Sequence, residues 1–328
     1  MCLLKKLVPV MTYLSDTEWD SSEHWDETGL FYWISERHNI YLQRLERHPA
    51  PWTKDPILQQ YKFTNPFREN DRVTIWMRNN WTYPNRQRPL EETFFNCCLF
   101  RMVGTSEFAQ AHGWVQDFNP TFTKQLIQDR IAKKLRTFTG AYIITNQGLK
   151  LPKSQVVVDY FLAPVWENRK ELTETALTTN SLQETHKALG KYQGWGGGGF
   201  MAYEVVTDLN YTTVLPEPCD KNTWGNAGPG AIRGLNRVFG RPLKRKIPEK
   251  QANREMQFLR ERALLSEHIQ EHVPKEFIDL RCIEHSLCEW DKYERVRKNE
   301  GRPRSRYTVD KNGWADQELL VGAVNWGV

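Results

Sequence analysis

The sequence predicts a mainly α-helical protein, and three observations carry that expectation. Apolar residues recur at helical spacing in most segments, and recognisable helix starts and stops punctuate the chain. The one stretch with strand character, Gly140 to Thr145, is too short to found a sheet and is turned by Asn146-Gln147-Gly148. The expected division is a flexible lead-in at residues 1–28, one helical domain at 29–311 and a tail at 312–328.

In chain order, residues 15–28 are acidic and polar. From Leu30 to Leu45 the positions Phe31, Ile34, Ile40, Tyr41 and Leu45 mark a helix, stopped by His48-Pro49-Ala50-Pro51. Asn65 followed by Pro66 reads as an N-cap and first helical residue, opening a helix with Phe67, Val73, Trp76 and Met77 on its apolar face and ending near Asn79. Arg68 and Arg72 there stand beside Glu69 and Asp71, close enough for a charged network. After a Pro/Arg/Asn loop at 81–90, helices are expected at Glu91–Val103 and at Pro120–Arg136, the latter burying Phe122, Leu126, Ile127, Ile131 and Leu135. Further helices are expected at Ser154–Leu172, Ser181–Leu189, Glu249–Glu271 and Lys275–Lys298, for roughly ten in all.

Composition narrows the class. The chain has 328 residues, enough to bury a sizeable core. No run of about 18 apolar residues occurs, so no membrane-spanning helix is expected. Met1 to Met11 is interrupted by Lys5 and Lys6 and is followed by no small-residue cleavage site, which argues against a signal peptide. Six cysteines (Cys2, Cys97, Cys98, Cys219, Cys282 and Cys288) without CxxC spacing suit free thiols in a reducing compartment, so a cytoplasmic protein is expected. Residues 230–311 hold 20 Lys/Arg against 13 Asp/Glu, whereas residues 1–229 balance at 25 each. That surplus suits a polyanion such as nucleic acid, and equally a solvated helix face.

The densest cluster of signals runs from Gly194 to Leu243. It opens on Gly194, Gly196, Gly197, Gly198 and Gly199, continues as an apolar helical segment, passes an acidic turn at Asp220 and reaches Gly228-Pro229-Gly230. A phosphate-cradling P-loop needs GxxxxGK[ST], which is absent, and a dinucleotide fingerprint should follow a strand where Ser181–Gly190 reads as helix. The spacing Gly196-x-Gly198-x-x-x-Ala202 instead resembles the hairpin of helix-hairpin-helix DNA glycosylases. There a glycine turn offers backbone N–H groups to a DNA phosphate. That resemblance implies a catalytic acid just downstream, at Asp220 or, as second candidate, Asp208. The lysine of the lyase-competent members would fall at Phe200, so Schiff-base chemistry is not expected.

Trp52–Leu58, Tyr61–Val73, Gly228–Leu235 and Ile283–Tyr293 together resemble the thymine-hypermodification proteins of phages and bacteria, over roughly residues 28–308. That family includes the helical domain of 5-hydroxymethyldeoxyuridine DNA kinases and the α-glutamyl/putrescinyl thymine pyrophosphorylases, or amino acid:DNA transferases. The resemblance implies a glycosylase-like fold and a modified thymine in double-stranded DNA as substrate. It implies an amine donor such as an amino acid or putrescine and a DNA kinase as a further partner. The missing P-loop argues against kinase activity by this chain alone.

A base activated as a phosphate or pyrophosphate ester of 5-hydroxymethyluracil needs a pocket, donors for the leaving group and a carboxylate for the amine's proton. Asp220, Glu284 and His285 are the candidate catalytic residues. Gly196, Gly198, Gly228, Gly230, Arg233, Arg237, Arg68 and Arg72 are candidates for phosphate binding, and Trp195, Phe200 and Trp224 for base stacking. Each also has an ordinary reading: cap, core ring, solvated basic turn or structural ion pair. Cys282, His285 and Cys288 drift off one helix face and fall short of four ligands, so no metal is expected. Neither a cofactor nor an iron–sulfur cluster is expected. Three functions remain: transfer of an amine-bearing group to modified thymine, a non-catalytic DNA-binding module serving a kinase, and a base glycosylase.

Overall fold

The computed structural model describes residues 25–269, 271–303 and 305–307. The lead-in up to residue 24 and the tail at 312–328 therefore lie outside the described residues. Within them the protein is helical throughout, with no named strand and one isolated antiparallel bridge between Tyr61 and Arg306.

The helices are α1 (Thr28–Leu45), α2 (Pro56–Gln60), α3 (Arg72–Met77), α4 (Leu90–Val103), α5 (Ser106–His112) and α6 (Pro120–Ala132). Then follow α7 (Lys153–Gln155), α8 (Ala163–Glu167), α9 (Arg169–Thr179), α10 (Leu182–Leu189), α11 (Phe200–Leu209), α12 (Pro229–Val238), α13 (Glu249–Leu265) and α14 (Leu280–Arg297). A widened π segment at Val156–Leu162 joins α7 to α8, and the Ala163 amide reaches back to the Val158 carbonyl. Pro164, which has no amide to donate, follows directly.

Several boundaries differ from the sequence expectation, each for a local reason. Asn65 does not cap a helix. Asp71 does, accepting the Val73 and Thr74 amides at 3.0 and 2.9 Å, while Arg68–Asn70 forms a separate 3-10 turn. Gly140–Thr145 forms no strand, and it is tied down by the Tyr142 hydroxyl donating to the Arg101 carbonyl at 2.6 Å. The expected single helix at 154–172 is divided at Asn168. Helix α13 stops at Leu265, and α14 begins only at Leu280 because Asp279 caps it, its carboxylate accepting the Cys282 amide at 2.7 Å. Helix α6 ends at Ala132 and buries Thr123 and Ile127, while Phe122 and Ile131 on it and Leu135 beyond its end are about half exposed.

Apolar burial forms two main clusters. One gathers α4, the π segment, α8 to α11 and Trp195, and the other gathers α1, α2 and α12 to α14. Helices α12 and α14 pack at backbone contact. A Cβ on Gly230 would lie 2.3 Å from Cys288 Sγ, and one on Gly234 would lie 2.5 Å from the Leu287 carbonyl oxygen. Gly230 and Gly234 thus serve helix packing, whereas a Cβ on Gly228 would meet nothing within 4 Å. Helix α11 belongs to the first cluster and α14 to the second, and charged side chains from both meet at the seam.

Candidate functional site

The seam is built from four elements. Helix α11 supplies Glu204 and Asp208, one turn apart; α14 supplies Arg281 and Glu284; α4 supplies Arg101; the turn before α3 supplies Arg68. Arg68 donates to Glu204 Oε2 at 2.9 Å and to Asp208 Oδ1 at 2.7 Å. Arg101 meets Asp208 through Nε and, at 2.7 Å, through Nη2. Arg281 bridges Glu204, at 2.7 Å, to Glu284. The chain of charges therefore runs Arg101, Asp208, Arg68, Glu204, Arg281, Glu284. All six are buried or nearly so, which makes complete pairing necessary. Burial opposes ionisation of Glu204, but Arg68 and Arg281 overcome it and hold its carboxyl well below the usual range. Burial prevails at Glu284, which is raised despite Arg281.

Beside this chain opens a polar recess lined by Arg68, Glu69, Asn210, Tyr211, Asp279 and Arg281, with Thr207 and Cys282 completing the wall. It has room for about one water-sized group. Glu69 accepts the Tyr211 hydroxyl at 2.9 Å. Asp279 is pushed up to about 6, first by burial and then by the Glu69 charge, against the Cys282 amide, Lys221 and Arg281, which favour its ionised form. A carboxyl poised there exchanges its proton near neutral pH, as a general base must.

The sequence candidates are distributed as follows. Asp220 accepts from Ser181 Oγ at 2.7 Å and from the Leu182 and Gln183 amides at 2.7 and 2.9 Å, so its carboxylate holds the start of α10. Glu284 belongs to the seam, and its carboxylate also accepts the Gly228 amide, placing an internal anion where a phosphate was expected. His285 lies off the seam, its Nε2 at 2.5 Å from Thr64 Oγ1; burial and then Arg281 lower its pKa to about 4. Arg68 is central to the seam, whereas Arg72 is exposed at the start of α3.

Arg233 and Arg237 both pair with Asp291 at 2.9 Å, and the Arg237 side chain is only 3% exposed. Neither guanidinium is thus a bare phosphate anchor. Arg241 forms a doubly bonded buried pair with Glu255, both contacts 2.6 Å. Exposed cations of this region are Lys244, Arg245 and Lys246, on the segment after α12, and Lys250 in the first turn of α13.

Helices α10 and α11 are joined by the glycine loop. Gly199 has φ +67°, and a Cβ there would meet His186 Nε2 at 2.4 Å; that nitrogen donates to the Gly199 carbonyl. Gly196 packs under the Gly190 carbonyl, while Gly198 faces open space. Trp195 is wholly buried, its Nε1 donating to the Phe161 carbonyl at 2.8 Å, and Trp224 is buried against His186 and Tyr203. Neither ring offers a face to a base. Phe200 does, 49% exposed at the start of α11 with Tyr142 edge-on to it.

Sequence reasoning placed Glu69 in a charged network with Arg68 but missed Arg101, Glu204, Tyr211, Asp279 and Arg281 as site residues. The signal for Asp279 was present: an Asp immediately before the periodic Leu280, Ile283 and Leu287 is a cap.

Residues 24–302 match the family described as the helical domain of 5-hmdU DNA kinase. The chain belongs to this family. A curated relative, the 5-hmdU DNA kinase of Bacillus phage SP10, is 27% identical over a 245-residue alignment that covers 65% of this chain. The chain spans only 37% of that kinase's length. No solved structure matches. Among the described residues no helix is long and apolar enough to cross a membrane.

Proposed function

We propose that the chain acts on double-stranded DNA in thymine hypermodification. In this reading it replaces the activated substituent of a 5-hydroxymethyluracil-derived base with an amine-bearing group. The observation that carries the reading is the recess at the seam, where Asp279, poised at about 6, stands with Glu69, Tyr211 and two guanidiniums. Family membership supplies the substrate class, since the family's name refers to 5-hmdU in DNA.

The balanced step is short. An amine arriving as its ammonium loses one proton to the Asp279 carboxylate, and its lone pair forms a C–N bond to the exocyclic methylene. The C–O bond breaks, its electron pair leaving with the phosphate or pyrophosphate, and the product nitrogen keeps its remaining protons. Arg281 Nε, buried without a partner, is the donor available to the departing oxygen. The recess is narrower than a base, so the flipped nucleotide enters only as the seam opens.

DNA engagement falls to two exposed features. The α10–loop–α11 unit is read as the glycosylase-like hairpin, presenting Gly198 and the half-exposed Phe200 to the duplex. The segment Lys244–Lys250 supplies phosphate contacts.

A second reading has its own support. The relative is a kinase of which this chain spans 37%, which favours a non-catalytic DNA-binding module working with a kinase. Mass spectrometry of nucleosides separates the two. DNA bearing 5-phosphomethyl or 5-pyrophosphomethyl uracil is incubated with the protein, with and without glycine, glutamate or putrescine. An amine-dependent new nucleoside supports transfer, an unchanged profile supports the module, and alkali-labile abasic sites would indicate a glycosylase instead.

A further inference from the structure

A surface outside the recess carries its own chemistry. Residues 130–158 contain no Asp or Glu and six cations, Arg130, Lys133, Lys134, Arg136, Lys150 and Lys153, a local surplus that the even balance of residues 1–229 conceals. Residues 185–203, which include the glycine loop, are likewise without an acid. The two stretches meet. The Gly194 amide donates to Gln147 Oε1 at 3.2 Å, and the Tyr142 and Phe200 rings lie 5.5 Å apart. Arg136 pairs with Glu107, but among the described residues no carboxylate stands at ion-pair distance from Lys150, Lys153 or Lys191.

The loop at 137–153 also presents an apolar group on a fixed support. The Tyr142 hydroxyl is held by the Arg101 carbonyl at 2.6 Å, the Thr139 amide donates to the Val103 carbonyl at 3.0 Å, and Asn146 Nδ2 donates to the Leu151 carbonyl at 2.9 Å. Ile144 is buried, and Ile143, between it and the anchored Tyr142, is 74% exposed. Phe200, half exposed, adjoins Tyr142 from the glycine loop. Lys153 extends over the Phe138 ring at 4.4 Å, while Lys150 and Lys191 are exposed on the two loops. A Cβ on Gly197 or Gly198 would meet nothing within 4 Å, so the backbone there is open to close approach. Lone exposed apolar side chains are ordinary. Two of them on adjoining loops, among cations and without one acid, fit a polyanion that also offers apolar faces, and bases flanked by phosphates have that make-up.

We propose that loop 137–153 and the glycine loop form a duplex-DNA face, in which Lys150, Lys153 and Lys191 contact phosphates and Ile143, beside Phe200, packs against base edges in the groove. This rests on the reading that the chain acts on duplex DNA, and it adds a second element to the Lys244–Lys250 segment.

Binding of a fluorescein-labelled, thymine-containing duplex to the full chain is followed by anisotropy across a range of salt concentrations. Lys150→Gln with Lys191→Gln is expected to weaken binding about tenfold at physiological salt and to flatten the slope of log affinity against log salt by up to about 1.8. Ile143→Ser removes apolar contact and no charge, so it is expected to weaken binding about threefold or more with the slope unchanged. Lys54→Gln with Lys62→Gln makes the same charge change on exposed lysines flanking α2 and should leave the slope as it is. All four positions in the loops and around α2 are exposed, so helical circular dichroism should not change. Wild-type affinity and slope in the Lys150/Lys191 variant overturn the proposal and leave the DNA reading standing; no duplex binding by wild type overturns both. Loss of duplex binding in that variant, with an unchanged nucleoside profile in wild type, keeps the face and removes the transferase. Lysine-dependent binding to phosphatidylglycerol vesicles in place of DNA would assign the face to a membrane. A fall in sedimentation mass on Ile143→Ser, with DNA binding kept, would assign it to a second copy of the chain, and either result overturns the proposal.

Discussion

Replacing Asp208 by asparagine tests whether the seam holds the two apolar clusters together. Its carboxylate is 1% exposed and accepts from Arg68 at 3.1 and 2.7 Å and from Arg101 at 2.7 Å, besides the Arg101 Nε contact. Asparagine keeps the shape but removes the charge, and it presents an NH2 group toward donors. Two buried guanidiniums then lose their shared counterion. Breaking a buried pair in this way costs about 3–5 kcal/mol, a large part of the roughly 5–15 kcal/mol that separates folded from unfolded chains. At roughly 2–4 °C per kcal/mol the melting temperature should fall by about 10 °C. Asp220→Asn is the internal comparison, because that carboxylate is only partly buried and accepts from one hydroxyl and two amides rather than from guanidiniums, so the loss should stay at about 1–2 kcal/mol. Urea unfolding followed by circular dichroism measures both. An Asp208→Asn loss no larger than that of Asp220→Asn would refute the account of the seam.

Three further expectations follow from the same geometry. Gly234→Ala should destabilise by about 1–3 kcal/mol, because its Cβ would strike the Leu287 carbonyl 2.5 Å away and a backbone atom cannot rotate aside; Gly198→Ala, which meets nothing within 4 Å, is the neutral control in the same thermal melts. Converting Lys244, Arg245 and Lys246 to glutamine should weaken DNA binding and flatten the slope of log affinity against log salt by up to about 3 × 0.9, whereas Arg237→Ala should mainly lower the melting temperature by stranding Asp291. His285, with a folded pKa of about 4 against about 6.5 unfolded, leaves the unfolded chain holding more protons between those values. Stability should therefore fall as pH drops from 6.5 towards 4, His285→Asn should remove part of that loss, and the His285 ring resonances should stay neutral down to about pH 4.

Much of the fold was legible because local chemistry decided it. Ser181 announces α10 and caps it, its Oγ accepting the Glu184 amide at 3.1 Å, and Phe31, Ile34, Ile40 and Tyr41 of α1 are buried as their spacing predicts. Where two local signals competed, the sequence misled. Asn65-Pro66 looks like a helix start, but Asp71 and Asp279 are the caps that act, six residues after Asn65 and four after Lys275, inside stretches that read as continuous helix.

The site was less legible, because its pairs are distant in sequence. Arg68 and Asp208 are 140 residues apart, and Arg101 and Asp208 are 107 apart. Nothing in the local pattern around Arg101, within an apolar helix, indicates that it neutralises an aspartate on α11. The glycine stretch misled differently. Gly230 and Gly234 are there for close helix packing, and the arginines beside them face inward to Asp291, so a basic helix read as a DNA surface is an ion-paired interior face.

The most direct test of the central claim compares wild type with Asp279→Asn on DNA carrying 5-pyrophosphomethyl uracil and putrescine, measuring nucleosides by mass spectrometry and DNA affinity on the same samples. The account predicts that the variant binds DNA as wild type does and forms no aminated nucleoside. Full turnover in the variant would contradict it.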